Sequence, residues 1–157
     1  MQSVNECFHK VKTDCFKYID SQETKTAKFK NKTKMLRSYL IPLCFWIVDQ
    51  KKNKSKTLIL GLSGGQGSGK TTITSIISTI LKKYFNKKIF VISIDDFYKT
   101  IKERYKLSQN IHPLLQTRGV PGTHDVKIIL NFFRKLNTNN FKLISLPKFD
   151  KSVDDRF

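Results

Sequence analysis

Apolar side chains recur at helical spacing near the start of the chain. Val4, Phe8, Val11, Cys15 and Tyr18, within residues 3–19, fall along one face and predict a modest amphipathic helix. Residues 20–34 are largely Lys, Thr, Ser, Gln and Asn, and read as a loop or a polar helix face. From Met35 to Asp49 the run MLRSYLIPLCFWIVD predicts a packing helix. A break or bend is expected near Pro42, because proline lacks the N–H that an α-helix uses and crowds the preceding turn. Residues 50–56, QKKNKSK, form a charged link.

The periodicity then changes. TLILGLS (57–63) is a β-rich run that ends in a glycine loop, and Ile73, Ile76, Ile77, Ile80, Leu81, Tyr84 and Phe85 next mark a helix face. KIFVISI (88–94) is continuous enough in apolar character to predict a second strand, buried on both sides. A mixed segment with Pro113, Gly119 and Pro121 leads to another helical pattern at Val126, Ile129, Leu130, Phe133 and Leu136. FKLISLP (141–147) reads as a third strand stopped by Pro147. Strand alternating with helix is the grammar of an α/β protein with a parallel sheet. The expected organisation is a helical N-terminal segment with a polar linker over 1–56, then an α/β core over 57–157.

Charge changes this picture little. The chain of 157 residues has a formal net charge of +18, from 30 Lys and Arg against 12 Asp and Glu. Only Arg37, Arg104, Arg118, Arg134 and Arg156 are arginines; the lysines are dispersed and interleaved with Asn, so no basic stripe for specific nucleic-acid binding is expected. Cys7, Cys15 and Cys44 are odd in number and lack metal-ligand spacing, which predicts reduced thiols and a cytoplasmic setting. Residues 1–20 contain Glu6, Asp14 and Asp20 without an apolar core, so no signal peptide is expected. Leu36–Val48 holds Arg37 and Pro42 and is too short to span a bilayer.

The densest chemistry lies in GGQGSGKT, which fits G-x-x-x-x-G-K-[ST] through Gly64, Gly69, Lys70 and Thr71. Glycines there let the backbone turn its N–H groups inward to cradle phosphate oxygens at a helix N-terminus. Gly64, Gly65, Gly67, Ser68, Gly69, Lys70, Thr71 and Thr72 are therefore the expected nucleotide-phosphate ligands. Lys70 would reach the β and γ phosphates of ATP, and the Thr71 hydroxyl would ligate Mg²⁺. The predicted strand before the loop and amphipathic helix after it are the context this motif requires.

SIDDFY puts Asp95 and Asp96 at the end of the second expected strand, the edge where open α/β sheets bind ligands. A carboxylate there can accept a proton from an attacking hydroxyl, or hold Mg²⁺ directly or through water. An Asp capping the next helix is the bland alternative. Residues 104–125 add Arg104, His112, Arg118, His124 and Asp125, with Arg156 beyond, and an Arg fork suits an anionic substrate. Thr123 or Asp125 could equally cap the following helix, and His124 reads as a packing group or a substrate contact. LPKFDKS then brings Asp150 and Lys151 to a strand end.

Taken in order and spacing, LGLSGGQGSGKTT, ISIDDFYKT, NIHPLLQTRGVPGTHD and LPKFDKS resemble the D-glycerate 3-kinase family, within the broader uridine kinase, pantothenate kinase and phosphoribulokinase group. The resemblance runs from about Pro42 to Asp155. It implies a P-loop NTPase-type three-layer α/β/α fold with a parallel sheet. It also implies ATP-dependent, Mg²⁺-assisted transfer of the γ-phosphoryl group to a hydroxyl of D-glycerate or a similar small anionic acceptor. Asp95 matches the Asp of the group's D-x-F motif and is the implied base, alongside Lys70 on the phosphates. Asp96 is assigned to metal and substrate, and Tyr98, Arg118, His124, Asp125, Asp150 and Lys151 fall in or near the acceptor pocket.

The chain departs from the family after LPKFDKS, where KSVDDRF is compressed ahead of the Asp155–Arg156 pair. It is expected to hold only the N-terminal half of a kinase core, lacking a further strand, a lid and the adenine-side loop. A completing chain or self-association follows as an expected partner. A nucleoside or pantothenate kinase, and a truncated ATP-binding remnant without turnover, are the alternatives.

Overall fold

Ser3 starts the first helix of the computed structural model, its hydroxyl accepting the Glu6 N–H at 3.1 Å ahead of α1 (Val4–Gln22). The structure describes residues 3–52, 54–138 and 144–157. Two units are distinguished, Met1–Val91 and Ile92–Phe157.

In the first unit, α1 buries Cys7, Phe8, Val11, Cys15 and Ile19, the stripe that its periodicity predicts shifted slightly around the helix. A second helical stretch runs through α2 (Lys32–Met35), a π-helical turn (Leu36–Leu40) and α3 (Ile41–Lys52). The helix does not break at Pro42, and the irregularity expected near it is a π-helical turn just before. The wider turn immediately before it, in which the Ile41 N–H donates to the Leu36 carbonyl, carries the helix past a residue with no donor. α4 (Lys70–Lys83) packs on α1 and α3 through Ile76, Ile80 and Leu81, with Tyr84 just beyond its end. Each such side chain, fully buried, contributes about 1.5–3 kcal/mol. Lys83 pairs with Asp14 at 2.6 Å, tying α4 to α1.

The three cysteines sit in this core, unpaired. Burial pushes the Cys7 thiol up to about 11 and those of Cys15 and Cys44 to about 12. They are packing residues in the reduced state.

The expected parallel sheet is not formed among the described residues, whose two strands make only a small antiparallel pair. Residues 57–63 and 88–94 form no ladder among the described residues, and 94 begins a 3₁₀ turn. Ile59, Leu60, Leu62, Phe90 and Val91 remain exposed, Phe90 to 81%. Apolar and β-branched residues favour an extended chain, but a strand satisfies its backbone only against a neighbour. Residues 139–143 lie outside the described residues, and with them the first part of the third expected strand; 144–148 carry no regular element.

The second unit is built from short, capped pieces. A 3₁₀ turn (Ile94–Phe97) opens with a capping box between Ser93 and Asp96, and α5 (Ile101–Asn110) with one between Thr100 and Glu103. Another 3₁₀ turn (Pro113–Gln116) follows, then α6 (Val126–Thr138). β1 (Phe149–Asp150) and β2 (Asp155–Arg156) pair antiparallel, with Phe149 opposite Arg156. A single bridge joins Tyr98 to His124, through Lys99 N–H to Thr123 O and Asp125 N–H to Phe97 O, both 2.8 Å.

The apolar centre here is small, made of Phe97, Tyr98, Phe132 and Phe149. Arg104 supplies the rest of the cohesion. It is fully buried, donates to the Lys99 carbonyl at 3.1 Å and the Gln116 carbonyl at 3.0 Å, and pairs with Asp154 at 2.9 Å. A buried guanidinium is tolerable only when its donors are satisfied in this way. Among the described residues, no helix is long and apolar enough to cross a membrane.

Candidate functional site

The phosphate loop precedes α4 in the first unit. Gly67 and Gly69 take φ of 75° and 79°, the left-handed region that glycine enters without strain. Gly64 is close-packed for a different reason: a Cβ there would lie 2.8 Å from Ser68 Oγ, which would have to turn aside. With Gly69 at its N-cap, α4 has no side-chain cap, so its first-turn N–H groups face outward with the positive end of the helix dipole. The Lys70 ammonium folds back onto the Gly64 and Gly65 carbonyls, at 2.7 and 2.6 Å. Thr71 is exposed and Thr72 is buried. This donor set fits a polyphosphate chain, with the Lys70 ammonium already at the loop.

The second unit separates the two acids. Asp96 is buried: its carboxylate accepts the Ser93 N–H at 3.2 Å and the Phe149 N–H at 3.4 Å, and Lys148 stands 3.0 Å away. Asp95 keeps 32% of its side chain exposed and pairs with the Lys151 ammonium at 2.8 Å. The accessible carboxylate is therefore Asp95, and Asp96 is largely committed to holding the turn and β1. Among the described residues no group of three His, Cys, Asp or Glu could hold a metal ion. Mg²⁺ does not demand such a cage, since it commonly takes one or two protein ligands and substrate phosphates.

Around Asp95 the structure gathers several of the predicted residues. Tyr98 stacks on His124, with ring centroids 4.0 Å apart, and meets Phe149 edge-on at 5.3 Å. Burial raises the Tyr98 phenol above its ordinary value, and the Asp95 charge adds to that. Burial lowers the His124 imidazole, against the opposing Asp95 carboxylate, and its Nε2 is buried with no partner. Arg118 pairs with Asp154 at 2.5 Å, and its guanidinium carbon lies 5.8 Å from the Phe149 ring centroid.

Other predicted residues do structural work. Asp125 caps α6 by accepting the Ile128 N–H at 3.2 Å, which resolves the choice between Thr123 and Asp125, and pairs with Arg156 at 3.2 Å. Burial pushes the Asp125 carboxyl up, but the Ile128 N–H, Arg156 and Lys99 outweigh it and hold it below the usual range. Asp150 accepts from the Ser152 hydroxyl and N–H at 2.6 and 2.7 Å, which closes the hairpin turn and lowers its carboxyl. His112 caps the 3₁₀ turn through Nδ1. Arg104 belongs to the scaffold and Arg156 to the ion pairs of Asp125 and Glu103.

Asp154 and Asp155 carry more of this arrangement than their place in a compressed tail suggests. Asp155 accepts the Ile101 N–H at 2.8 Å at the start of α5, and Asp154 joins Arg104 to Arg118. No local pattern marks them, because each acts on a residue far away in the chain. α5 had a legible signal in the T-x-x-E box of Thr100 and Glu103.

Comparison with known proteins places these residues in context. No family model and no solved structure matches the chain. An uncharacterized kinase of Schizosaccharomyces pombe is 40% identical over 105 residues, 66% of this chain and 38% of that protein. A probable ATP-dependent kinase of Saccharomyces cerevisiae is 41% identical over 103 residues, 60% of this chain and 36% of its own length. A uridine kinase of Macrococcus caseolyticus is 33% identical over 107 residues, 65% of this chain and 45% of its own length. The chain is thus homologous to kinases across about two thirds of its length, and spans less than half the length of these curated relatives.

Proposed function

We propose that this chain carries the phosphate-binding and acceptor-recognising residues of an ATP-dependent small-molecule kinase of the glycerate kinase type. The acceptor is D-glycerate or a similar small anionic molecule with a free hydroxyl. The Lys151–Asp95 pair at 2.8 Å carries the reading: a part-exposed carboxylate suited to a proton, beside a cation suited to an acid group.

Asp95 takes the proton of the acceptor hydroxyl as its oxygen bonds to the γ-phosphorus. The bond from that phosphorus to the β–γ bridging oxygen breaks, and ADP leaves. Lys70 and the N–H groups of the loop and of Thr71 and Thr72 neutralise the phosphate charge. The Thr71 hydroxyl would hold Mg²⁺, which would supply further charge neutralisation when bound, while Asp96, expected from the sequence as a metal ligand, is used by the Ser93 and Phe149 N–H groups and Lys148. Arg118 and Lys151 meet the anionic group, with Tyr98 and His124 as the stacked wall beside them. Asp125 and Asp150 hold the surrounding backbone.

A coupled assay for ADP release tests this with ATP, Mg²⁺ and D-glycerate, uridine or pantothenate. Glycerate-dependent ADP is expected, and ADP release that depends on none of the three sinks the reading. The uridine kinase relative supports a second reading, a nucleoside acceptor, and uridine-dependent release would select it; pantothenate-dependent release would select a pantothenate acceptor instead. ATP affinity lost on Lys70→Ala, without turnover on any acceptor, marks a non-catalytic remnant. Exposed Ile59, Leu60, Leu62, Phe90 and Val91 support a completing chain or second copy as partner. Three buried unpaired thiols support a cytoplasmic setting, and no specific nucleic acid is proposed.

A further inference from the structure

We infer that Asp154 is a positioning residue for Arg118, and through it for the anionic group of the acceptor; the second clause rests on the acceptor reading above. Asp154 lies in the turn between β1 and β2 with φ of 55°, and it faces two arginines. Its carbonyl accepts from Arg104 Nη2, and its Oδ2 lies 2.9 Å from the same nitrogen. Its Oδ1 accepts from Arg118 Nη1 at 2.5 Å.

The two partners differ in freedom. Arg104 is fully buried and also held by the Lys99 and Gln116 carbonyls, so it is a fixed point. Arg118 has a side chain 36% exposed, and its remaining contacts are a long bond from Nη1 to the Lys151 carbonyl at 3.4 Å and the Phe149 ring. Asp154 thus transmits the rigidity of a buried arginine to an open one. Among the described residues, Nε and Nη2 of Arg118 have no partner, leaving donors for a carboxylate or phosphate. The same turn carries Lys151, which reaches Asp95. A long side chain ordered before its ligand arrives loses less freedom on binding.

Asp154→Asn is the primary variant. Asn tolerates the left-handed conformation, and its side-chain oxygen can still face Arg104 while Arg118 loses the carboxylate that faces it. The first readout needs no acceptor: phenylglyoxal labelling of the full chain, with each arginine quantified by peptide mass spectrometry. The Arg118 rate is expected to rise several-fold relative to exposed Arg134, while buried Arg104 stays unlabelled. An unchanged Arg118-to-Arg134 ratio in a chain that still protects Arg104 overturns the inference. If Arg104 becomes labelled, the fold has been lost, and Asp154→Glu, which keeps the charge but displaces it by one methylene, is judged by the same ratio.

The second readout is steady-state kinetics with ATP and D-glycerate. The KM for glycerate is expected to rise about tenfold, as for one charge-assisted contact, with kcat and the KM for ATP moving less than about twofold. A fall in kcat at unchanged glycerate KM overturns the role toward the acceptor. Absence of glycerate-dependent turnover in the unmodified chain defeats the proposed function instead, and the labelling ratio still decides whether Asp154 anchors Arg118.

Discussion

The Lys151 ammonium stands 2.8 Å from the Asp95 carboxylate, although one residue comes from a hairpin turn and the other from the 3₁₀ turn that opens the second unit. Asp96, one position along, instead accepts the Ser93 and Phe149 N–H groups. Adjacent acids in the same motif therefore have different tasks, and substitution separates them. Asp95→Asn is expected to lower acceptor-dependent ADP formation by about 10²–10⁴-fold, with ATP affinity retained. Asp96→Asn is expected to destabilise the chain by about 1–3 kcal/mol, read from urea unfolding, because it disturbs buried accepting groups.

The loop glycines make unequal demands. Gly64→Ala places a methyl group 2.8 Å from Ser68 Oγ, whereas a Cβ on Gly61 meets nothing within 4 Å. Gly69→Ala forces a left-handed φ of 79° on an L-residue, at a cost of about 1–2 kcal/mol. Calorimetry with ATP and Mg²⁺ should show weakened binding for Gly64→Ala, Gly69→Ala and Lys70→Ala, and unchanged binding for Gly61→Ala. Equal affinities across the set would mean that the loop does not hold phosphate.

Arg104 is predicted to matter for stability. Arg104→Met removes the donors to Lys99, Gln116 and Asp154 and leaves part-buried acceptors unmatched. A loss of about 1–3 kcal/mol is expected, as for leaving hydrogen-bonding groups without their partner. Chemical denaturation of the second unit measures it, followed by a signal from that unit. A loss near zero would show that the guanidinium is dispensable to packing.

Burial holds the His124 imidazole below its ordinary 6.5, with the Asp95 carboxylate opposing. The folded value is depressed, so the unfolded chain binds the proton more readily. The contribution is complete above 6.5 and is lost as pH falls through the folded value. Urea midpoints taken from about pH 8 down to 5 should decline, and His124→Gln should flatten that part of the profile. An identical slope in the variant would assign the decline to other groups.

Cys7, Cys15 and Cys44 are buried thiols pushed up to about 11, 12 and 12. Only the thiolate reacts readily with iodoacetamide. All three are expected to resist alkylation near neutral pH in the folded chain and to label together in denaturant. Rapid labelling of any one under native conditions would contradict its place in the core.

What the amino-acid order determined by itself is local. The 3.6-residue period marked α1, α4 and α6, because helix hydrogen bonds join residues four apart and the buried stripe recurs with them, and a continuous apolar run marked α3. The phosphate loop was legible for the same reason: Gly67 and Gly69 supply their own backbone freedom, and Lys70 bonds back only to Gly64 and Gly65. α5 was hard to see because Ile101–Asn110 is mostly polar and is declared chiefly by its capping box.

Tertiary structure decided everything that needs a distant partner. The apolar runs at 57–63 and 88–94 have strand composition, yet a strand exists only with a neighbour, and none is paired among the described residues. Composition could offer Asp95 or Asp96, and Arg104 or Arg118, on equal terms. Burial and hydrogen bonds to the backbone assigned Asp96 and Arg104 to the scaffold and left Asp95 and Arg118 part-exposed. The difference is physical: a charge is free for chemistry only where the fold has not already used it to satisfy buried groups.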